Sequence, residues 1–157
     1  MSAATRLLVL GSFPGQRSLA LQQYYAHPQN QFWPILQAIW PASPCPTGLD
    51  SYQKRSIWLL DKGVGLWDVY ASCERQGSLD SAIRQPLPND LPALRECCPQ
   101  LALVAHNGAE SFRHARHSAV LGCPMLRLPS TSPANASWRF ERKLQAWREA
   151  VAAAGLL

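Results

Sequence analysis

The segment from residue 11 to residue 33, GSFPGQRSLALQQYYAHPQNQFW, holds most of the side chains with chemistry to offer. It opens on the turn GSFPG, whose two glycines allow the backbone to approach a bound molecule closely. Tyr24 and Tyr25 offer flat aromatic surface, and Asn30 offers an amide that both donates and accepts hydrogen bonds. These groups suit a pocket for a flat, polar ring that is uncharged or anionic.

Polar, turn-forming residues also follow three other apolar runs. Asp68 lies near the end of VGLWDVY, His106-Asn107-Gly108 follow LALVA, and residues 130–135 follow the run that ends at Leu128. In a parallel sheet the loops after the strands' carboxyl ends line one edge, and ligands bind there. We therefore expect these residues to meet the GSFPG turn at that edge.

Each of these groups also has a purely structural interpretation. The turn at 11–15 could be an ordinary strand-to-helix connection, and Asp68 could cap a loop or pair with an arginine. Asn30 and Asn107 could serve only as helix caps, and residues 130–135 could form a surface loop. Taken singly the groups leave these alternatives open, whereas their joint position at one sheet edge favours a binding site.

The elements that must position these groups alternate along the chain. Predicted strands, of the buried parallel type, cover residues 6–10, 64–70, 101–105 and 124–128. Predicted helices cover residues 18–24, 31–40 with Asn30 as N-cap, 50–62, 78–84, 91–97, 109–117 and 137–154, and residues 86–92 are predicted as a loop. Such alternation predicts an α/β fold, a three-layer αβα sandwich with a central four-stranded parallel sheet, in one domain over residues 1–157.

Composition narrows the class of protein. No apolar run reaches membrane-spanning length, and the chain does not begin with a charged-then-apolar leader, so we expect a soluble, cytoplasmic protein. The five cysteines include no CxxC pair, which favours free thiols over a metal site. We expect no metal and no cofactor.

The net charge of +5 is concentrated in residues 101–157, which hold seven Lys and Arg against three Glu. A one-sided basic surface suits a polyanion such as DNA. The chain contains no P-loop, no G-x-G-x-x-G and no nucleophile elbow, and its sparse carboxylates form no metal-binding cluster. These absences argue against Mg²⁺-dependent phosphoryl chemistry.

Over nearly its whole length the chain resembles the uracil-DNA glycosylase superfamily. GSFPG is similar to the superfamily's first motif, which forms a wall of the base pocket. AHPQNQFW is similar to the A-H-P-x-N-x-F-W segment of the mismatch-specific branch, and LPSTSPAN stands where the second motif presses on the minor groove. Together with GLWDV, these motifs most resemble the hypoxanthine (deoxyinosine) DNA glycosylase branch.

This resemblance implies a monofunctional DNA glycosylase of base-excision repair. Such an enzyme flips a deaminated base, here hypoxanthine, out of DNA and hydrolyses its N-glycosidic bond by water attack. The implied partner is DNA containing deaminated bases, and the implied oligomeric state is a monomer. A uracil-preferring glycosylase, a catalytically silent DNA-binding module and a nucleoside-binding protein remain the alternatives.

Two catalytic side chains of the uracil branches are missing here. The position that holds their water-activating Asp or Asn is Phe13, and PSTSPAN contains no His. In the hypoxanthine branch the catalytic role falls on the Asn of HPxN, which is Asn30 in this chain. Because an amide is a weak base, we expect Asn30 to orient a water that meets an oxocarbenium-like sugar.

The resemblance implies roles for the other side chains too. The predicted base-binding residues are Gly11, Ser12, Phe13, Pro14, Gly15, Tyr25, Asp68 and Asn107. Ser12 or Asn107, with backbone N–H groups of the turn, is expected to hold the departing base, and Asp68 to read a ring N–H or support the pocket. The predicted DNA-binding residues are Ser130, Thr131, Ser132, Pro133, Asn135 and Arg139.

Overall fold

The computed structural model describes residues 1–48 and 51–157, and a parallel sheet runs through its centre. The strands are β1 (Leu7–Gly11), β2 (Val64–Asp68), β3 (Tyr70–Glu74), β4 (Arg84–Pro88), β5 (Leu103–Asn107) and β6 (Met125–Leu128). The central sheet has the order β2-β1-β5-β6, and each neighbouring pair is parallel. All four carboxyl ends therefore reach the same edge of the sheet.

Helices cover both faces of this sheet. They are α1 (Gln16–Leu21), α2 (Phe32–Ile39), α3 (Tyr52–Asp61), α4 (Pro92–Cys97), α5 (Ala109–Arg113), α6 (Ala115–Ser118) and α7 (Phe140–Ala153). Residue 50, where the third predicted helix begins, lies outside the described residues. The predicted α/β fold, with a four-stranded parallel sheet between two helical layers, is confirmed.

The side chains of β1 show why two layers are needed. Leu7 and Val9 pack into one apolar cluster with α2, α3 and α7, whereas Leu8 and Leu10 pack into a second cluster on the other face. All four are buried, as expected for a strand inside a parallel sheet. In α2 the buried residues recur at helical spacing, and Phe32 packs edge-on against Trp147 of α7.

The chain between β2 and α4 departs from the sequence prediction. The predicted strand 64–70 ends at Asp68, and Tyr70 begins β3, which pairs antiparallel with β4 in a separate two-stranded sheet. The prediction of a helix at 78–84 is wrong, because only a 3-10 turn, Asp80–Ala82, forms there. The prediction of a loop at 86–92 is also wrong in part, because an exposed edge strand tolerates the prolines of β4.

The helix predicted at 109–117 is also interrupted. His114 leaves the helical conformation, with φ −108° and ψ 23°, and separates α5 from α6. The other predicted elements are present with ends that differ by at most three residues, as at the end of α1 and the start of α7.

His106, expected in a polar loop at the sheet edge, is instead buried within β5. Its Nδ1 lies 2.7 Å from Ser111 Oγ, and its Nε2 lies 2.9 Å from Ser118 Oγ. The neutral ring donates from one nitrogen and accepts at the other, so His106 bonds one serine hydroxyl as donor and the other as acceptor. Burial lowers the pKa of His106 to about 4. This neutral imidazole joins β5 to α5 and α6.

We expect the free energy of unfolding to decrease as the pH falls from about 6.5 towards 4. In this range His106 binds a proton in the unfolded chain but not in the folded one, where it is buried. His106→Gln keeps a neutral hydrogen-bonding side chain and should weaken this dependence. Thermal unfolding temperatures of both proteins across this pH window measure the effect. Parallel pH curves for the two proteins would contradict it.

Candidate active site

The carboxyl ends of the four parallel strands open into one cavity of about 940 Å³. That volume lies near the upper end of the range for ligand pockets in proteins. Its wall includes these predicted residues: Gly11, Ser12, Phe13, Pro14, Gly15, Tyr25, Asn30, Asp68, Asn107, Ser130, Thr131, Ser132, Pro133 and Asn135. Arg139 lies outside the wall, exposed at the start of α7. The four loops expected to converge at one edge do so.

The first wall of the cavity is the GSFPG turn that follows β1. A Cβ atom at Gly11 would lie 2.6 Å from Asp68 Oδ1 and 3.7 Å from Tyr25 Oη. Real Cβ atoms do not come that close to a neighbour, so residue 11 must be glycine for Asp68 to lie beside the turn. Here the glycine supplies space rather than an unusual φ angle.

The segment that follows β3 holds this turn in place, a role the sequence did not predict. Ser12 Oγ donates to Asp80 Oδ1 at 2.6 Å, and the N–H of Gln16 donates to Ser78 Oγ at 2.9 Å. The Arg75 guanidinium donates to the carbonyls of Phe13 and Pro14 and lies 5.4 Å from the centroid of the Phe13 ring. An exposed hairpin therefore fixes the shape of the turn.

Tyr25 forms part of the wall next to the turn. It has a left-handed backbone, with φ 55°, and its ring stacks on Phe32 with 4.1 Å between centroids. One face of the Tyr25 ring is thus occupied by the core, and its hydroxyl lies near Gly11. Burial raises the pKa of the Tyr25 hydroxyl, and a hydrogen bond from Asn107 partly opposes that shift.

Asn30 lies in the cavity wall just before α2. Its Oδ1 accepts a hydrogen bond from the N–H of Phe32 at 3.0 Å, and its own N–H donates to His27 O at 2.9 Å. The N-cap itself is Gln31, so the prediction of Asn30 as N-cap is wrong by one residue, although its amide oxygen pairs with the first N–H of the helix. An amide oxygen has two lone pairs, so one acceptor position on Oδ1 remains for a water or a substrate.

The amide of Asn107 joins β5 to the loop that follows β6. Its Oδ1 accepts from the N–H of Thr131 at 2.9 Å, and its Nδ2 donates to Thr131 Oγ1 at 2.9 Å. Gly108 follows with φ +106°, a conformation that L side chains rarely adopt.

The same loop is tied to the segment that carries Asn30. The N–H of Gln31 donates to Thr131 O at 2.9 Å. Lys143 of α7, which is 2% exposed, donates from Nζ to Gln31 Oε1 at 2.8 Å and to Asn135 O at 2.9 Å. Lys143 was not predicted from the sequence, because a lysine on an amphipathic helix usually faces solvent.

Asp68 is the buried carboxyl group of the cavity, with 6% of its surface exposed. Burial is the largest influence on it and raises the pKa of its carboxyl to about 7. A hydrogen bond from Tyr24 and the charge of Arg75 lower that pKa, whereas the charge of Asp80 raises it. Near neutral pH, Asp68 therefore exists as a mixture of carboxylic acid and carboxylate.

The rim of the cavity carries positive charge that the sequence prediction did not assign to the site. Exposed Arg17, Arg113 and Arg127 line the opening, and Arg113 pairs with Glu110 at 2.9 Å. Trp138 also lines the opening, and the Arg142 guanidinium lies 3.8 Å from the centroid of its ring. Such a rim suits a negatively charged polymer with flat bases.

Across residues 1–48 and 51–157, no group of three or more His, Cys, Asp or Glu side chains is arranged to hold a metal ion. None of the helices in this described part has the length and apolar character needed to cross a membrane.

Known proteins with similar sequences and structures share this architecture. The family model for the uracil DNA glycosylase superfamily matches residues 1–152. A hypoxanthine DNA glycosylase from Methanosarcina acetivorans is 34% identical over 149 residues, covering 94% of this chain and 90% of the relative. A hypoxanthine DNA glycosylase from Methanosarcina barkeri is 35% identical over 150 residues, covering 93% and 90%.

A solution NMR structure from Methanosarcina acetivorans, described as a candidate uracil DNA glycosylase, superposes with a TM-score of 0.84 at 30% sequence identity. The superposed region covers 99% of this chain and 94% of the chain in the NMR structure. The family model matches residues 1–152, and both relatives align with more than nine tenths of this chain. This chain belongs to the uracil DNA glycosylase superfamily.

Proposed function

We propose that this protein is a DNA glycosylase of base-excision repair that releases hypoxanthine from deoxyinosine in DNA. The observation that carries the proposal is the single cavity that joins the GSFPG turn, the Asn30 amide and the 130–135 loop beneath a basic rim. The names of the two Methanosarcina relatives support hypoxanthine as the base. We propose that it acts as a monomer.

The reaction begins when the damaged nucleotide leaves the stacked duplex. Flipping costs a few kcal/mol, and less for a weakly paired base such as hypoxanthine opposite thymine. The 130–135 loop, with its hydroxyls and backbone N–H groups, is suited to hold the flanking phosphates, and Arg17, Arg113 and Arg127 add charge at the rim. Within the pocket, Phe13 and Tyr25 supply aromatic surface against the base.

Hydrolysis then depends on the order of bond breaking and water attack. An amide cannot remove a proton as a carboxylate does, so the bond between C1′ and the base must break first. Water then adds to an oxocarbenium-like sugar and needs only to be oriented. The free acceptor position on Asn30 Oδ1 suits that role, and its bond to Phe32 N–H fixes its direction.

Alkali cleavage of labelled oligonucleotides that contain hypoxanthine, uracil or xanthine tests the proposed function. We expect strand breaks after alkali with the hypoxanthine substrate at the highest rate, because alkali cleaves only where a base has been released. Faster cleavage of the uracil substrate would contradict the assigned base. DNA binding with no alkali-sensitive site in any substrate would instead indicate a silent binding module.

Asn30→Ala should reduce the rate of base release by at least about 10²-fold while leaving DNA affinity nearly intact, since it removes the water-orienting group. It also removes the acceptor for Phe32 N–H at the start of α2, so its unfolding temperature must be measured as well. Gln29→Ala, an exposed amide removed one residue away and outside the cavity wall, is the matched control. A folded Asn30→Ala protein with wild-type single-turnover rates would refute the role of Asn30.

A further inference from the structure

We propose that Asp68 serves as a carboxylic acid whose O–H donates a hydrogen bond to the departing base. The inference rests on the proposed function and assigns a further chemical role within the same cavity. It gives this glycosylase a side-chain donor for the leaving group, where its GSFPG and PSTSPAN motifs contain no histidine.

The first argument is the position of the carboxyl group. Asp68 ends β2, lines the cavity and lies so close to the backbone of Gly11 that no Cβ fits between them. A base held against the GSFPG turn therefore lies next to Asp68. Among the described residues, Asp68 forms no ion pair with any Lys, Arg or His.

The second argument is that the expected hydroxyl donor is already committed. The hydroxyl of Ser12 donates its one proton to Asp80 at 2.6 Å. One Nδ2 proton of Asn107 goes to Thr131 Oγ1, and its Oδ1 accepts from Thr131 N–H. Ser12 therefore has no proton left for the base, whereas Asp68 in its acid form has one.

The third argument comes from the charged and titratable groups that face Asp68. Tyr24 and Tyr25 face it from the segment after α1, Asp80 from the 3-10 turn, and Arg75 from the segment after β3. Arg75 is held by the carbonyls of Phe13 and Pro14, and Asp80 carries a like charge. Burial, with that like charge, raises the pKa of Asp68 to about 7, which supports the acid form at neutral pH.

The hydrolysis needs no side chain that gives up a proton to the base. As the bond between C1′ and the purine nitrogen breaks, its electron pair passes to the base, and the Asp68 O–H hydrogen bond stabilises the negative charge that develops there. Water adds to C1′ and releases one proton, and the base takes up one proton from solvent. Asp68 keeps its own proton throughout, so it is ready for the next turnover. Ionised Asp68 would repel the anionic base instead.

Single-turnover release of hypoxanthine between pH 6 and pH 8 tests this role. For the wild type we expect the rate to fall about tenfold over this range, because the neutral fraction of an acid with a pKa near 7 falls by that factor. In Asp68→Asn the amide donor does not titrate, so this fall should disappear whatever the absolute rate. Asp68→Ala, without a donor, should lose about 10²-fold at pH 6.

Two further variants test whether the pH dependence of the rate comes from Asp68. Asp90→Asn makes the same chemical change at an exposed position outside the cavity wall, and should keep the wild-type profile. Asp80→Asn removes a charge that raises the pKa of Asp68, and should move the fall in rate to lower pH. A shift to higher pH would contradict the inference.

A second readout does not depend on activity. A carboxyl group with a raised pKa destabilises the fold progressively as the pH rises from its ordinary value of 3.8 to about 7. Asp68→Asn removes this penalty, so its unfolding temperature relative to the wild type should be higher at pH 8 than at pH 5. An equal difference at both pH values would contradict a neutral Asp68.

The outcomes separate this inference from the proposed function. Wild-type release of hypoxanthine with a flat pH profile, or a profile of Asp68→Asn that falls like the wild type, would overturn the role of Asp68 and leave the function standing. Absence of base release by the wild type at every pH would refute the proposed function, and this inference with it.

Discussion

The cavity depends on one paired contact, in which the amide of Asn107 both donates to and accepts from Thr131. Asn107 ends a central strand, whereas Thr131 belongs to the loop after β6. Thr131 in turn accepts from Gln31, beside Asn30, so the amide at the sheet edge sets the distance between the segment that carries Asn30 and the loop expected to meet DNA. Lys143 reinforces the same junction from α7. Loss of either partner would leave buried polar groups unpaired, which costs more than the hydrogen bond itself contributes.

The roles proposed for the acid and the amide follow from the absence of an acidic side chain in the GSFPG turn. The third residue of the first turn is Phe13, and the buried carboxyl group of the cavity lies instead at the end of β2. In the proposed mechanism this acid acts on the base and not on the attacking water. An amide is then sufficient to orient the water, because departure of the base becomes the difficult step.

The convergence of the site was predictable from the sequence because it depends only on topology. Parallel strands bring their carboxyl ends to one edge, so apolar runs followed by GSFPG, Asp68, Asn107 and PSTSPAN had to meet. Which acceptor each hydrogen-bond donor contacts was not predictable, because it depends on distances that only the folded chain defines. Ser12 and Asn107 line the cavity, yet the Ser12 hydroxyl and one N–H of the Asn107 amide are already in use. Arg75 and Asp80 were missed because β3 lacks alternating apolar residues and β4 contains two prolines, so the sequence gives no signal of a hairpin.

That hairpin has a consequence for motion. Most residues of β3 and β4 are exposed, so the pair is held by backbone hydrogen bonds with little apolar burial. Segments of this kind open by local unfolding at a lower free energy than the central sheet, and their amides exchange with solvent sooner. Because Arg75, Ser78 and Asp80 leave the GSFPG turn when the hairpin opens, the wall that faces the base loosens while the core beneath it remains folded. The shape of the pocket is therefore less stable than the protein that contains it.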